Sequence, residues 1–493
     1  MIKVFSYFIV ALYSSAVLLI FFYSLAQFNL LLNYLKSKKN KPNHKVFDFS
    51  NEVEIPLVTI QLPIYNEKYV VERLLNCITQ LDYPKDKLEI QVLDDSTDES
   101  IFTTRKLVNQ YAASGINIKH LTRTVRSGFK AGALKKGLET ATGEFIAIFD
   151  ADFMPKPNWL LQTIPYFKNP NVGVVQTRWG HLNRNYSILT KIQAFALDAH
   201  FSLEQTGRNS KQHCINFNGT AGVWRTSCIL DAGNWESDTL TEDLDLSYRA
   251  QLKDWKFIYL EDVVTPAELP AILSAARSQQ FRWNKGGAEN FVKMAGKVCT
   301  STVLSNKTKL HGLVHLLNSS MFLSIFIMAV LSIPMLFIKN YVLNNNIYFD
   351  IMGFFIITSI LFFICYWFTF KNSNGGGIVN FGKYIGLFFT FYAIAMGFSF
   401  QNSIAVLEGL LGKKSEFIRT PKLNMETLKE KWKENSYISK RISKNIIVEG
   451  ALVVYFFFGL VSGIKLNDFG LFPLHLMLFL GFGYVFTQSF KTN

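Results

Sequence analysis

Long apolar stretches near both ends of the chain limit what it can fold into, because about 20 apolar residues suffice to cross a lipid bilayer. The first stretch runs from Val4 to about Leu35. It is too long for the core of a signal peptide, and the basic sequence KSKKNKPNHK follows it without a small-residue cleavage site. We therefore predict an N-terminal anchor helix whose basic flank lies inside the cell.

Further apolar stretches occur later in the chain. They are His311–Ile338, Tyr348–Phe370, Ile385–Leu411, Asn445–Ile464 and Phe469–Phe486. If the central region and the basic segment 412–444 lie on one side of the membrane, an even number of crossings must separate them, although three apolar stretches lie between. The second half of Ile385–Leu411 contains Gln401, Asn402 and Glu408. We predict that Ile385–Leu411 is an interfacial or re-entrant helix, which leaves about five true spans.

The basic character of the chain follows the apolar stretches. Its formal net charge is +14, and many lysines and arginines flank predicted spans. They include Lys36, Lys38, Lys39, Lys41, Lys413, Lys414, Arg419 and Lys422. Positive flanks on the cytosolic side, together with anionic lipids or an anionic substrate, explain this charge better than nucleic-acid binding, for which no motif is present.

The region between about Val58 and Leu260 has a different texture. Short β-rich runs such as VTIQLP, LEIQVLDDS, EFIAIFDAD and VGVVQTRW alternate with helical segments, which predicts a parallel sheet covered by helices. Ligands of such sheets bind beyond the carboxyl ends of the strands. The predicted units are an anchor (1–35), a linker (36–56), the α/β domain with interfacial helices at its end (57–300), transmembrane and interfacial helices (301–411), a basic segment (412–444) and a transmembrane hairpin (445–493).

Acidic residues close two of the predicted strands. Asp150 and Asp152 of FDADF are two apart on an extended strand and share a face, so both can approach one divalent cation, Mg²⁺ or Mn²⁺, on a diphosphate. Asp94 and Asp95 of VLDDSTDES either cap the following helix or accept hydrogen bonds from a nucleotide, and we favour the nucleotide because of the other acidic strand end.

Basic and acidic residues at helix starts add to this pattern. In RSGFKAGAL, Arg126 and Lys130 surround a helix start suited to an anion, although a solvated basic helix would look the same. In TEDLDLSYRA, Glu242 and Asp243 either complement the helix dipole or act in catalysis. Sugar transfer with inversion needs a carboxylate base, and Asp243 is the candidate.

The motif QQFRW lies shortly before the second apolar region. Its Trp283 could be an ordinary interfacial anchor. An indole also stacks on the C–H face of a sugar ring, while Gln279 and Arg282 can donate to hydroxyl or phosphate oxygens.

Taken in order, the motifs QLPIYNE, QVLDDSTD, FKAGAL, AIFDADF, FNGTAGVWR, TEDLDLSYRA and QQFRW resemble those of processive family 2 glycosyltransferases of the cellulose synthase superfamily. The resemblance is stronger to the plant cellulose synthase-like A and C enzymes, which make mannan, glucomannan or glucan, and it runs from about Val58 to Met294. It implies an α/β GT-A (Rossmann-like) domain joined to transmembrane helices, and a divalent metal cofactor.

The resemblance also implies residue roles. Asp94, Asp95, Lys130, Asp150 and Asp152 would bind the nucleotide sugar, with Asp150 and Asp152 on the metal; Asp243 and Glu242 would be catalytic; Asn218, Gly219, Thr220, Gln279, Arg282 and Trp283 would bind the acceptor. Asn218 replaces the cysteine of cellulose synthases, which weakens the case for cellulose as product. FIRTPK resembles a gating-loop motif, with Phe417, Arg419, Thr420 and Lys422 as its members, or else is a basic membrane flank.

We therefore predict a membrane-embedded inverting glycosyltransferase that adds hexose from GDP-mannose or UDP-glucose to a growing β-linked cell-wall-type polysaccharide. The alternatives are a single transfer to a lipid acceptor, a non-catalytic polysaccharide export channel, and a membrane-associated nucleotide sensor without an acceptor site. The expected partners are a nucleotide sugar, a polysaccharide and the lipid bilayer, not nucleic acid. We expect a bacterial inner membrane, or a Golgi membrane if the source is eukaryotic, with the catalytic domain cytosolic and no cyclic-dinucleotide control by an appended domain after Phe490.

Overall fold

The computed structural model describes residues 2–39, 55–343, 346–415, 419–422, 424, 437 and 445–491. Most of the predicted linker and of the predicted basic segment lies outside these residues.

A seven-stranded sheet organises the central domain. Its strands are β1 (Val58–Ile64), β2 (Leu88–Asp94), β3 (Ile118–Thr122), β4 (Phe145–Ile148), β5 (Val172–His181), β6 (Gly222–Arg225) and β7 (Lys256–Ala267). The spatial order is β3-β2-β1-β4-β6-β5-β7, and β6 alone runs antiparallel to its neighbours. The order reverses between β1 and β4, which is where ligands bind in open α/β sheets.

Helices cover the sheet and continue into the membrane region. The α-helices are α1 (Ile2–Lys39), α2 (Val71–Thr79), α3 (Ser100–Ala113), α4 (Phe129–Leu138), α5 (Trp159–Thr163), α6 (Ile188–Ala199), α7 (Thr206–Asn209), α8 (Thr226–Asp231), α9 (Glu242–Gln251), α10 (Leu273–Thr300), α11 (Asn306–Leu316), α12 (Ser320–Tyr341), α13 (Asn346–Phe354), α14 (Ile357–Asn374), α15 (Ile378–Gly397), α16 (Ser399–Leu410), α17 (Ile446–Lys465) and α18 (Phe472–Lys491). Lys85–Lys87 and Ile164–Lys168 form 3₁₀ turns, and His200–Gln205 forms a π-helix.

Both faces of the sheet are buried, as the near-continuous apolar strands indicate. In β4, Phe145 and Ala147 pack into the cluster on one face, whereas Ile146 and Ile148 pack into the cluster on the other. This alternation is the period of two expected of an extended strand. The predicted α/β sheet is therefore confirmed.

Among the described residues, five helical segments are long and apolar enough to cross a bilayer. They are Ile2–Lys39, Ser320–Tyr341, Ile347–Asn374, Ile378–Gly397 and Ile446–Lys465. The number agrees with the predicted five spans, but the membership differs. Phe472–Lys491 is not in this set. Ile378–Gly397 is in the set, although it overlaps a stretch that was excluded from the predicted spans.

The stretch Ile385–Leu411, predicted to be interfacial or re-entrant, forms two helices, α15 and α16, with a break at Phe398. After the break α16 runs back along α12: the rings of Phe400 and Phe326 lie 5.5 Å apart, and Ser403 Oγ donates to Phe322 O at 3.0 Å. Residues 419–422 then reach the central domain. One of the three intervening apolar stretches must therefore return to its starting side, and α15 with α16 stays our prediction for it.

The 28-residue helix α10 connects the sheet to the membrane helices. Its buried Arg277 forms an ion pair of 2.6 Å with the buried Glu449 of α17. Lys285, also buried, lies 3.2 Å from Glu408 of α16. Buried charges require such partners, so α10 is held in one position relative to both α16 and α17.

The contact between α15 and α18 depends on glycine. A Cβ on Gly481 would lie 1.9 Å from Ala393 O, whereas a Cβ on Gly483 would meet no atom within 4 Å. We expect Gly481→Leu to lower stability by about 1–3 kcal/mol or more, because overpacking forces the helices apart. Gly483→Leu is the matched control and should unfold like the wild type. Thermal unfolding in detergent measures both, and equal losses would contradict this account.

Candidate active site

A cleft of about 180 Å³ lies at the carboxyl ends of β1, β2 and β4, under α10. The predicted site residues that line it are Asp95, Lys130, Asp150, Asp152, Asn218, Gly219, Glu242, Asp243, Gln279, Arg282, Trp283, Arg419, Thr420 and Lys422. The structure thus brings together residues from six predicted motifs and from the segment after α16.

The two aspartates that follow β4 each contact a lysine. Lys130 Nζ lies 2.6 Å from Asp150 Oδ1, and Lys422 Nζ lies 2.7 Å from Asp152 Oδ1. The Asp152 side chain is 1% exposed, whereas that of Asp150 is 32% exposed and opens to the cleft. One accessible and one buried carboxylate fit a hard cation that takes its remaining ligands from a diphosphate, so Asp150 and Asp152 are suited to Mg²⁺ or Mn²⁺.

Lys130 supplies a fixed positive charge in the cleft. Burial by itself lowers the pKa of an ammonium, but the carboxylates of Asp150, Glu242 and Asp243 outweigh it and raise the pKa of Lys130. Its Nζ also donates to Gly219 O at 2.8 Å. The ammonium therefore remains charged where a diphosphate would lie.

Glu242 and Asp243 open α9 inside the cleft. Burial and the negative charge of Glu242 raise the pKa of Asp243 to about 7, and burial also raises the pKa of Glu242. Asp243 Oδ1 accepts from Leu244 N at 2.9 Å, which leaves Oδ2 facing Gly219. A Cβ on Gly219 would lie only 3.0 Å from this Oδ2, and Gly219 has φ +77°, so glycine is needed here for both space and conformation.

The predicted pair Asp94 and Asp95 separates in the structure. Asp95 lines the cleft and receives two bonds from Arg123, from Nε at 2.9 Å and from Nη2. Asp94 is buried beneath it, next to His120 Nε2 at 2.9 Å, and accepts from Ser96 N. Both Asp94 oxygens are thus engaged in holding the end of β2, and its side chain does not line the cleft.

An arginine and an aromatic ring flank Asp95. The guanidinium carbon of Arg126 lies 3.5 Å from the centre of the Tyr65 ring. This stacked pair, which lines the cleft, offers a flat surface and a positive charge. Sequence reasoning overlooked Tyr65 and Arg123.

The residues predicted to bind the acceptor lie in two places, on α10 and in the loop before β6. Gln279, Arg282 and Trp283 are three and four residues apart on α10 and share its cleft-facing side. Thr220 does not line the cleft; it is buried, and its Oγ1 accepts from Asp150 N at 2.9 Å. Its role is therefore to position Asp150.

Residues 419–422 lie in the cleft although they follow the membrane helices. Arg419 forms a two-bond ion pair with Glu67, with Nε to Oε1 at 2.9 Å and Nη2 to Oε2, and Arg282 Nη2 donates to Thr420 Oγ1 at 3.2 Å. Burial raises the pKa of Glu67 to about 7 against the opposing charge of Arg419. The remaining predicted gating residue, Phe417, lies outside the described residues.

Glu67 was missed because its partner lies 352 residues away. It stands in the motif QLPIYNE, directly after Asn66, which has φ 55°. An asparagine at a sharp turn after a strand was the only local signal available.

A second acidic cluster, whose members do not line the cleft, contains Glu236, Asp238 and Asp245. Lys293 Nζ lies among them, at 2.7 Å from Glu236, 2.8 Å from Asp238 and 2.8 Å from Asp245. This ammonium already supplies the positive charge that a metal ion would bring. The cluster is therefore a structural ion-pair network.

The fold and the cleft define the class of protein: a GT-A-like sheet with acidic and basic groups gathered at its strand ends. Residues 56–286 match the family described as "Glycosyltransferase like family 2". This part of the chain is therefore similar to family 2 glycosyltransferases, as the motifs predicted.

Relatives of known name match about half of the chain. "Probable glucomannan 4-beta-mannosyltransferase 7" of Oryza sativa subsp. japonica is 48% identical over 257 residues, which is 51% of this chain and 44% of that protein. "Glucomannan 4-beta-mannosyltransferase 9" of Arabidopsis thaliana is 41% identical over 261 residues, which is 52% of this chain and 49% of that protein. The match thus spans about half the length of these relatives.

A solved structure shares the fold. The mannosyltransferase PcManGT from Pyrobaculum calidifontis, solved with GDP-Man and Mn²⁺, superposes with a TM-score of 0.52 at 19% identity, covering 81% of this chain and 100% of that one. This likeness confirms the predicted GT-A class.

Proposed function

We propose that the chain is a membrane-embedded inverting hexosyltransferase that adds mannose from GDP-mannose to a growing β-linked polysaccharide. The observation that carries the proposal is the position of Asp243: a half-buried carboxyl group with pKa about 7 that faces, across Gly219, the cation Lys130 and its partner Asp150. A general base is most effective when its pKa lies near the working pH.

The donor side of the cleft suits a nucleoside diphosphate. Lys130, Lys422 and Arg282 supply positive charge around Asp150 and Asp152, and the stacked Arg126 and Tyr65 lie toward the end where a base would bind. We favour GDP-mannose over UDP-glucose because the relatives named above are mannosyltransferases. UDP-glucose remains the donor to test beside it.

The proposed reaction uses one proton transfer and one displacement. Asp243 takes the proton of the acceptor hydroxyl, the hydroxyl oxygen attacks the anomeric carbon from the side opposite the diphosphate, and the bond to the diphosphate breaks with inversion. Lys130 and Arg282 stabilise the negative charge that the leaving diphosphate gains. When bound by Asp150 and Asp152, a divalent cation supplies further neutralisation of that charge.

The proposed orientation places the catalytic domain in the cytosol of the cell, beneath either a bacterial inner membrane or a Golgi membrane. Its support is that the basic end of α1 lies on the catalytic domain, with Lys38 Nζ 3.0 Å from Glu261. Positive residues next to a span favour the cytosolic side. In this arrangement the polymer leaves past Trp283 toward the membrane helices.

We also propose that residues 419–422 act as a gate over the donor. Their contacts with Glu67, Asp152 and Arg282 close one side of the cleft. The Lys422 ammonium can leave Asp152 and pair with a bound diphosphate, because the carboxylate and the diphosphate both offer anionic oxygens.

Incorporation of labelled hexose by the purified detergent-solubilised protein, with Mg²⁺ or Mn²⁺, tests the reaction. We expect polymer from GDP-mannose, and a loss of about 10²–10⁴-fold in Asp243→Asn, since an amide cannot take a proton. Asp231→Asn removes an exposed carboxylate that pairs with Lys253 and should keep full activity. Label found only in lipid would support the single-transfer alternative, and no label from either donor would contradict the proposal.

The pH profile tests the role of Asp243 separately. Because the base must be ionised, kcat/KM should fall as pH decreases through about 7. Glu242→Gln removes the negative charge that raises the pKa of Asp243 and should move this acidic limb to lower pH. Glu236→Gln, outside the cleft, is the control. A wild-type limb near the ordinary carboxyl pKa of about 4 would contradict the raised pKa of Asp243.

Substitution of Lys422 tests the gate. Lys422→Met should raise the KM for the donor roughly 10- to 100-fold, because it removes a charge-assisted contact from the cleft. Lys413→Met removes a lysine whose side chain is 67% exposed, paired with Glu408, and should change the donor KM little. Steady-state kinetics at several donor concentrations distinguish the two. Equal donor KM values in both variants would contradict the gate.

A further inference from the structure

Asn424 lies two residues after Lys422 of the proposed gate and does not line the cleft. It is buried and has φ 52°, a left-handed conformation in which asparagine is enriched among residues with a side chain. Although it follows the membrane helices, it is hydrogen-bonded to the catalytic domain. The chain is therefore fixed to that domain two residues after Lys422.

Three polar groups of Asn424 each bond to a different residue. Its main-chain N donates to Glu268 Oε2 at 3.0 Å, its Nδ2 donates to Tyr69 O at 2.7 Å, and its Oδ1 accepts from Arg73 Nη1 at 2.9 Å. We call Tyr69, Arg73 and Glu268 the dock. A carbonyl oxygen can only accept and a guanidinium can only donate, so the orientation of the amide is fixed. Aspartate would lack the donor, and glycine would lack both side-chain groups.

The dock is built around an ion pair. Arg73 Nη1 lies 2.8 Å from Glu268 Oε1, with the glutamate buried and the arginine half-buried. Such a pair resists separation, because either charge alone would be left without its partner. Arg73 stands on α2 and Glu268 directly follows β7. The dock therefore belongs to the body of the catalytic domain.

The dock also holds the carboxylate that Lys422 contacts. Glu268 N donates to Asp152 Oδ2 at 3.2 Å, while Lys422 Nζ lies 2.7 Å from Asp152 Oδ1. Glu268 thus bonds to Asp152 with its main chain and to Asn424 with its side chain. One residue therefore connects the partner of Lys422 to the chain that follows Lys422.

The short distance along the chain limits where Lys422 can lie. Two residues span at most about 7 Å when fully extended, so a docked Asn424 keeps the Cα of Lys422 within that range. Residues 420–422 do not pack tightly on the domain, because they line a space of about 10 Å³ together with residues 268–271. Hydrogen bonds at Asn424 therefore supply a constraint that packing does not.

We propose that Asn424 is the positioning residue of the gate: bound to the dock, it holds Lys422 where the ammonium can reach either Asp152 or the diphosphate of a bound donor. The inference rests on the proposed function and its gate. Segments that close over a substrate turn about a few residues that lie outside the chemistry. Asn424 has no contact with the donor in this account, so its loss should act only through Lys422.

The test compares Asn424→Gly with Asn467→Gly in the purified full-length protein. Both asparagines have a left-handed φ, 52° and 51°, which glycine adopts without strain. Asn467 is exposed in the loop between α17 and α18, so its variant reproduces the change of residue without the loss of an anchor. We expect the donor KM to rise roughly tenfold in Asn424→Gly, which loses one charge-assisted and one neutral hydrogen bond, and little in Asn467→Gly.

A double variant separates positioning from a general structural role. If Asn424 acts through Lys422, Asn424→Gly should raise the donor KM no further in a Lys422→Met background. Increases that multiply in the double variant would overturn the positioning claim. An unchanged donor KM in Asn424→Gly, beside a raised one in Lys422→Met, would overturn it as well and leave the gate in place.

Limited digestion with trypsin tests the anchor without the transfer reaction. Lys422 is half-buried, and cleavage after it should be severalfold faster in Asn424→Gly than in wild type or Asn467→Gly, because a released segment is more often open to the protease. Cleavage at other sites should stay at the wild-type rate. A rate that rises at every site, or at none, would overturn the inference. Absence of hexose transfer by wild type from either donor would instead overturn the proposed function, and with it the role of Asn424, whatever the digestion shows.

Discussion

The structure depends on how charge is balanced in one buried cleft. Most of its carboxylates have a cation of their own: Asp95 has Arg123, Asp150 has Lys130, Asp152 has Lys422, Glu67 has Arg419 and Glu268 has Arg73. Among the described residues, Glu242 and Asp243 line the cleft without a direct ion pair. An unpaired buried carboxyl group holds its proton to higher pH, so the same deficit that costs stability gives Asp243 a pKa suited to proton transfer.

The neutralising cations come from distant parts of the chain. Lys130 stands on α4, close to the sheet, whereas Arg419 and Lys422 follow the membrane helices and α16. Asp152 is 1% exposed and has Lys422 as its ion-pair partner. The charge of this carboxylate is therefore neutralised only when the chain has returned from the membrane region. The position of α10 is tied to the same region through Glu408 and Glu449. The catalytic sheet and the membrane helices therefore stabilise one another, and neither half supplies a balanced cleft alone.

The sequence pattern predicted those features that depend on residues close together in the chain. The alternation of strands and helices, the acids at strand ends and the i, i+3, i+4 spacing in QQFRW each depend on neighbours within a few residues, and each is confirmed in place. The pairing of Glu67 with Arg419 was not predictable, because no periodicity relates residues 352 apart. Asp94 is the last residue of β2 and Asp95 follows it, so their side chains point in different directions. The sequence DD does not indicate which of the two faces the cleft. The break at Phe398 lies between Gly397 and Ser399 with no proline to mark it, so the polar residues that follow indicated a change in the helix but not where α15 ends.

Three consecutive residues connect the two halves of the reaction site. Thr220 holds the backbone of Asp150, Gly219 leaves room for Asp243, and Asn218 lines the cleft. Each uses a different property: a hydroxyl acceptor, a missing side chain with φ +77°, and an amide whose Oδ1 accepts from Gln205 and Asn216. Because Gly219 has no side chain to couple its neighbours, the side chain at position 218 can change without moving Asp150 or Asp243. The lining of the cleft can therefore vary at position 218 while Asp150 and Asp243 keep their positions.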